Sequence, residues 1–469
     1  MASSMARLMP GGQGEAAARL AGFRAGWYGC LSRWADTLFE LADAVLCAGG
    51  PVVSLPRLSL EPVMGRGHGS GYAALAGGQA GARALGELLA AFRPAEWPLV
   101  FAVDATVWPR CAAQTSPGRE LCYDPSRQTR GRPVVAGWWF QLASQLNWGR
   151  DSWTWPAGCQ RIDPGGDHAQ ATVAQVAEVA ARLGPGGPVP VFVFDAGSCY
   201  DPAALSHGLA AQRVQVLVRL RKNRRLFRAP PPRAPHAPGR PRRHGAPFDF
   251  KDPATWGKPD ATWQATDPVY GTVTVHGWAR LHPRLKRGGR WAGQSPAPIV
   301  AGWVLRAEVT ALPPRPRARA SRLLWLWWSG PPGAAPDLAT CWRAYVHRFD
   351  IEHAIRFAKT TLGWVTPALR HPHQAERWTA IILAASAQLV LARPLAADHR
   401  LPWERPRDPA HLTPGRVRRD FPRIRSQLPP VANPRKPCRP GPGRPKGRRS
   451  RPAKRYPVIR KTRRTRVKR

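Results

Sequence analysis

From residue 15 to residue 48, apolar side chains recur every three or four positions, at Leu20, Phe23, Trp27, Leu31, Trp34, Leu38, Leu41 and Val45. That period predicts a first helical segment, stopped by Gly49, Gly50 and Pro51. A glycine-rich loop from Gly65 to Gly78 follows, and a second helix is predicted from Ala80 to Phe92. From Pro98 the pattern changes. Leu99 to Val103 is a short continuous apolar run, the signature of a strand buried on both faces, and it ends on Asp104. A strand pair is predicted around Val134 to Leu146 and a helix from Ala169 to Leu183. The buried-strand pattern returns at Val189 to Phe194, ending on Asp195. Val214 to Leu220 reads as another strand, leading into a basic run and an exposed Pro/Arg-rich loop from Pro230 to Arg243. The runs 271–279, 299–312 and 323–328, rich in β-branched residues and Trp, read as strands of an inserted sheet. A helix is then predicted from Leu338 through Lys359.

Composition changes this picture in three ways. The 469 residues exceed one ordinary core, so several domains, or one enzyme fold with a large insertion, are expected. The balance of 71 Lys and Arg against 29 Asp and Glu leaves a formal charge of +42, which calls for a polyanionic partner. Beyond Trp403 proline and arginine dominate, and residues 435–469 contain no Asp or Glu, so this tail is expected to be disordered alone and to order on nucleic acid. No apolar run reaches the ~18 residues that span a bilayer, and the N-terminus lacks the apolar core of a secretory signal. A cytoplasmic, nucleoid-associated protein is expected. The eight cysteines form no Cys-x-x-Cys pair and read as reduced core thiols, and the 13 histidines show no ligand spacing, so no zinc is expected. Most of the 21 tryptophans are expected in the core.

Asp104 and Asp195, at the ends of buried strands, and Glu352, on a later helix, make the pattern a two-metal nuclease requires. Phosphodiester chemistry places negative charge on both the attacking and the leaving oxygen, and converging carboxylates can hold two Mg²⁺ ions that stabilise both. On one helix, Tyr345, Arg348, Glu352 and Lys359 fall on a shared stripe, so two cations flank the glutamate. The apolar neighbours Ile351, Ile355, Phe357 and Leu362 pack that helix on a core, which favours a phosphate-facing role for the cations over a solvated salt bridge.

These residues resemble the DDE transposases of bacterial insertion sequences that carry a Tyr-(2)-Arg-(3)-Glu-(6)-Lys signature. Tyr345, Arg348, Glu352 and Lys359 match each of its spacings. The wider chain is similar to an actinobacterial-type branch of that group, through Leu38-Phe39-Glu40-Leu41-Ala42-Asp43-Ala44, Phe349-Asp350-Ile351-Glu352-His353, Leu362-Gly363-Trp364 and the Gly-Pro-Gly-Arg-Pro of the tail. The resemblance implies an α/β fold: an RNase H-like core in which Asp104, Asp195 and Glu352 are catalytic and bind Mg²⁺, or Mn²⁺ in its place. It further implies that Tyr345, Arg348 and Lys359 lie at the DNA, with a homodimer or higher multimer assembled on transposon ends. The domains expected are a helical N-terminal region (1–95), the first part of the core (96–225), a β-rich insertion (226–335), the helical part of the core (336–402) and the basic tail (403–469). One departure stands out: Asp195-Ala196-Gly197-Ser198-Cys199-Tyr200-Asp201 is two residues longer than the usual Asp-Ala-Gly-Tyr-Asp. In the tail, Arg444 within Gly443-Arg444-Pro445 is a candidate minor-groove reader. The rival expectation is a noncatalytic basic DNA-binding protein descended from an inactive transposase.

Overall fold

The computed structural model describes residues 11–111, 113–124, 133–149, 151–195, 200–233, 236, 239–286, 288–313, 321–435, 445–449, 452–457 and 459. The chain divides into two compact units. One comprises residues 1–97, 104–166 and 350–469; the other comprises 98–103 and 167–349.

The first unit is helical around a small sheet. Its axis is the helix Pro372–Ala392, on which Gly11–Gly29, Ala35–Cys47 and Pro414–Ser426 pack. That helix belongs to an apolar stretch, Pro372–Leu395, long enough to cross a membrane, but 72% of its apolar window is buried inside the fold. The helix predicted over 15–48 is two helices, interrupted by the short strand Leu31–Arg33, and Trp34 takes a left-handed φ of 58° where the second begins. The apolar stripe continues across the break, which is why periodicity alone joins the two. The glycine-rich stretch expected as a loop contains a helix, His68–Gly77, whose Ala74 and Leu75 are fully buried. Small residues there allow close helix packing. The predicted pair at 134–146 is one strand of 13 residues, Val134–Leu146, joined antiparallel to Glu120–Tyr123 on one side and Thr154–Ile162 on the other. Past Trp403 the chain is not uniformly without structure. Val417, Phe421 and Ile424 form a buried stripe on the helix Pro414–Ser426, and Arg418, whose pKa burial pushes down to about 10, donates to the carbonyls of Val45 and Gly50. Of the residues from 435 onward, the structure describes 435, 445–449, 452–457 and 459, so the tail expectation and Arg444 lie largely outside the described residues.

The second unit is a large mixed sheet. Val100–Val103 and Val191–Phe194 pair in parallel, as do Val191–Phe194 and Gln215–Leu220. Leu323–Ser329, Gly302–Val309, Gly271–Leu281 and Ala261–Asp267 then add antiparallel in that order. The Trp-rich strands therefore extend the sheet through Gln215–Leu220 and do not form a separate inserted one. The reason is apolar continuity: Trp325, Trp327 and Trp328 are at most 2% exposed, and a Cβ at Gly302 would meet the Trp327 ring at 2.5 Å, so this edge is closely packed. Phe248, Phe250, Trp256 and Trp278 gather around the Trp325 ring, with the Arg306 guanidinium 4.8 Å above Trp256. Trp278 and Trp325 are buried in this cluster and Trp256 is half-buried. The helices His168–Leu183, Pro202–Gly208 and Leu338–His347 belong to the same unit.

Candidate active site

Two central strands deliver the aspartates. The last register pair between them is Val103 with Phe194, and on each strand the next residue is the aspartate, Asp104 or Asp195. Asp195 directly follows its strand, as the pattern predicts. Asp104 does not end its strand, which runs on to Pro109. Asp is a poor strand former, so the expectation stopped there, but Val107 and Trp108 beyond it are 2% and 1% exposed and their burial continues the strand. Asp104 Oδ1 accepts the Ala105 N–H at 2.9 Å.

In the second unit the Asp195 carboxylate meets two guanidiniums. Arg219 Nη1 lies 3.4 Å from Oδ1 and Arg348 Nη2 lies 3.3 Å from Oδ2. Arg348 is buried, its side chain 8% exposed, while Asp195 and Arg219 are 35% and 40% exposed. The Arg348 guanidinium sits 5.6 Å from the Tyr345 ring centroid. The Tyr345 hydroxyl is held above its ordinary pKa, first by burial and then by the Asp195 charge, against the opposing pull of Arg219 and Arg348. Tyr345, Arg348 and Asp195 thus form one cluster. Arg219 completes it and was missed as a site residue. Its signal was legible: it is a lone cation, half-exposed, inside the otherwise buried run Val216–Leu220.

The single helix expected from 338 to 359 is two. Leu338–His347 ends, Arg348 and Phe349 form a turn, and Asp350–Thr360 begins anew. The second helix carries its own dipole complement, with Asp350 and Glu352 in the first turn and Lys359 in the last, so its charges suit an independent helix. The shared stripe is therefore corrected: Tyr345 and Arg348 belong to one unit, Glu352 and Lys359 to the other. In the first unit, Lys359 Nζ donates to the Val107 carbonyl at 3.0 Å, on the same strand as Asp104. His353, Arg356, Phe357 and Thr360, on another side of that helix, line a cavity of about 600 Å³, where His353 Nδ1 lies 2.8 Å from Ser152 Oγ. Glu352 and Lys359 are not part of that lining.

Residues 196–199 of the lengthened loop lie outside the described residues. Tyr200 and Asp201, which follow it, have structural positions. The Tyr200 ring is buried 5.1 Å from that of Phe194, and Asp201 caps the helix Pro202–Gly208 by accepting the Ala204 N–H at 3.0 Å. Among the described residues, no group of three or more His, Cys, Asp and Glu side chains is gathered closely enough to hold a metal ion. The donor chemistry of Asp104, Asp195 and Glu352 nonetheless fits a hard divalent cation, since all their ligand atoms are carboxylate oxygens.

A mixed α/β protein whose two parallel strands each carry an aspartate directly after their last register pair is consistent with an RNase H-like nuclease architecture. The family of DDE superfamily endonucleases matches residues 27–282, more than half of the chain, and the chain belongs to that family. The family acts on DNA and generally uses divalent metals. The matched span contains Asp104, Asp195 and Arg219 and ends before Tyr345, Arg348, Glu352 and Lys359. No curated protein matches the chain.

Proposed function

We propose that this chain is a transposase of the DDE type, which hydrolyses a phosphodiester at the ends of an insertion sequence and uses the freed 3′-OH to attack target DNA. The observation that carries the reading is the placement of Asp104 and Asp195 immediately after the last register pair of two parallel strands. Glu352, in the first turn of the helix Asp350–Thr360, is the third acid. Asp104, Asp195 and Glu352 are the residues that hold two Mg²⁺ ions, or Mn²⁺ in their place; when bound, the ions supply charge stabilisation to the attacking and leaving oxygens. Arg348 and Lys359 bind phosphate beside the acids, and Tyr345 positions Arg348 through its ring. The +42 charge supplies nonspecific affinity for DNA, and two or more copies bring the transposon ends together.

A second reading has its own observation. Both oxygens of Asp195 face guanidiniums, as they would in a noncatalytic DNA-binding descendant that has kept the fold. The variants Asp104→Ala, Asp195→Ala and Glu352→Ala separate the two. On the transposase reading each abolishes strand cleavage while DNA binding is retained or improved, because a ligand is lost and a negative charge removed. If the wild-type chain binds DNA and never nicks it in Mg²⁺ or Mn²⁺, the noncatalytic reading stands. Cleavage that survives one of the three substitutions removes that residue from the site.

A further inference from the structure

The Asp195 cluster is unusual for a metal ligand because it is already neutralised. One carboxylate faces two separate cations, one on each oxygen, Arg219 from the strand Gln215–Leu220 and Arg348 from the turn after Leu338–His347. A divalent cation approaching Asp195 in this state meets the two guanidiniums that face the carboxylate. Either the guanidiniums leave or a further anion arrives.

The geometry makes the first course available. The two contacts, at 3.4 and 3.3 Å, are longer than the ~2.7–2.9 Å of a tight charge-assisted hydrogen bond, so neither guanidinium is firmly seated on the carboxylate. The two are also unequal. Arg348 is buried against Tyr345, whereas the Arg219 side chain is 40% exposed and can swing toward solvent without leaving a buried charge behind. Phosphate is the better partner for both, because its oxygens match the guanidinium fork and present more than one acceptor.

We propose that Arg219 and Arg348 form a clasp on Asp195 that DNA opens: phosphates of the bound strand take up the guanidiniums, and the freed carboxylate becomes available to a divalent cation. DNA and metal then bind with positive linkage, each strengthening the other by the same factor. Metal is held weakly by the DNA-free chain, which reserves the loaded state for the DNA complex. The assignment gives Arg219 a positioning role for Asp195, and it rests on the reading of Asp195 as a metal ligand.

The test is a Mn²⁺ titration of the full-length chain without DNA, followed by electron paramagnetic resonance of the free ion, for the wild type, Arg219→Gln and Asp195→Asn. Arg219→Gln is expected to tighten Mn²⁺ binding by about fivefold or more, the lower end of usual coupling between sites. Asp195→Asn is expected to weaken it. In a second arm, anisotropy of a fluorescent duplex at constant ionic strength reads DNA affinity with and without Ca²⁺. The wild type is expected to gain affinity with Ca²⁺, and both the Arg219→Gln and the Asp195→Asn variants are expected to lose most of that gain. If Asp195→Asn weakens Mn²⁺ binding while Arg219→Gln leaves it unchanged, the clasp is overturned and Asp195 remains a ligand. If Asp195→Asn leaves Mn²⁺ binding unchanged, the ligand reading itself fails. An unaltered thermal midpoint for Arg219→Gln, expected from its exposure, excludes misfolding as the source of either result.

Discussion

Arg348 and Lys359 show how two cations at signature spacing reach different surroundings. Arg348 is buried with Asp195 and Tyr345; Lys359 is half-buried and bonded to the Val107 carbonyl. Removing Arg348 takes away a buried charged group and its packed stem, so Arg348→Ala is expected to cost roughly 1–2 kcal/mol of stability, discounted because Asp195 itself is partly exposed. Lys359→Ala forfeits the hydrogen bond to the Val107 carbonyl, about 1 kcal/mol or less. Both are expected to lower end cleavage by about tenfold or more if they hold phosphate, since a charge-assisted contact contributes roughly 1.5–3 kcal/mol. Thermal midpoints and nicking rates measured on the same two proteins check this, and a stability loss with no rate loss would sink the phosphate assignment.

At the scale of elements, the strands buried on both faces were the most legible part of the chain. Val191–Phe194 is a pure apolar run with all four residues buried, and the residue that ends it, Asp195, is where the pattern said it would be. Breaks inside apolar periodicity were not legible. The turn at Arg348 and Phe349 hides because Ala344 and Ile351, on its two sides, are both fully buried and keep the helical stripe in phase. Arg219 was overlooked because it stands at the head of a basic run, and it differs from Arg221 and Lys222 in lying inside the strand Gln215–Leu220 while they lie beyond it. Beside the strand pair Arg225–Phe227 and Pro247–Asp249 lies a further feature invisible in the spacing, the pair His244 and His282, whose ring nitrogens lie 2.9 Å apart. Burial is the main force holding both imidazoles below the ordinary histidine pKa of 6.5, and Arg243 adds to it for each. A depressed histidine resists protonation in the folded state, so the unfolded chain binds more protons below 6.5 and stability falls as pH drops through that range. The thermal midpoint is therefore expected to decline between about pH 7.5 and pH 5.5, and His244→Gln is expected to make that decline shallower. An identical slope in the variant would show that the pair does not contribute.

For the whole molecule, charge is the dominant property. Residues 435–469 contribute basic side chains with no Asp or Glu, and Tyr456 N–H donates to the Gln114 carbonyl at 2.9 Å. Deleting 435–469 is expected to weaken DNA affinity and to flatten its dependence on salt, because fewer counterions are released on binding. Cleavage of an end already bound is expected to survive. Binding measured across a salt series decides this, and an unchanged slope would assign all phosphate contacts to the rest of the chain. The composition announced a polyanionic partner, but it carried no information about the acids, which depend on strand register.

The central claim is that Asp104, Asp195 and Glu352 bind divalent metal together, and localised radical cleavage reads that directly. Loading the full-length chain with Fe²⁺ in the presence of duplex DNA, then adding ascorbate and peroxide, generates hydroxyl radicals at the bound ion that cut nearby backbone. Fragments are expected to map to three separated segments, around residues 104, 195 and 352, to disappear in excess Mg²⁺, and to be lost in Asp195→Asn. Cuts confined to other parts of the chain, or a pattern that Asp195→Asn leaves intact, would contradict the account.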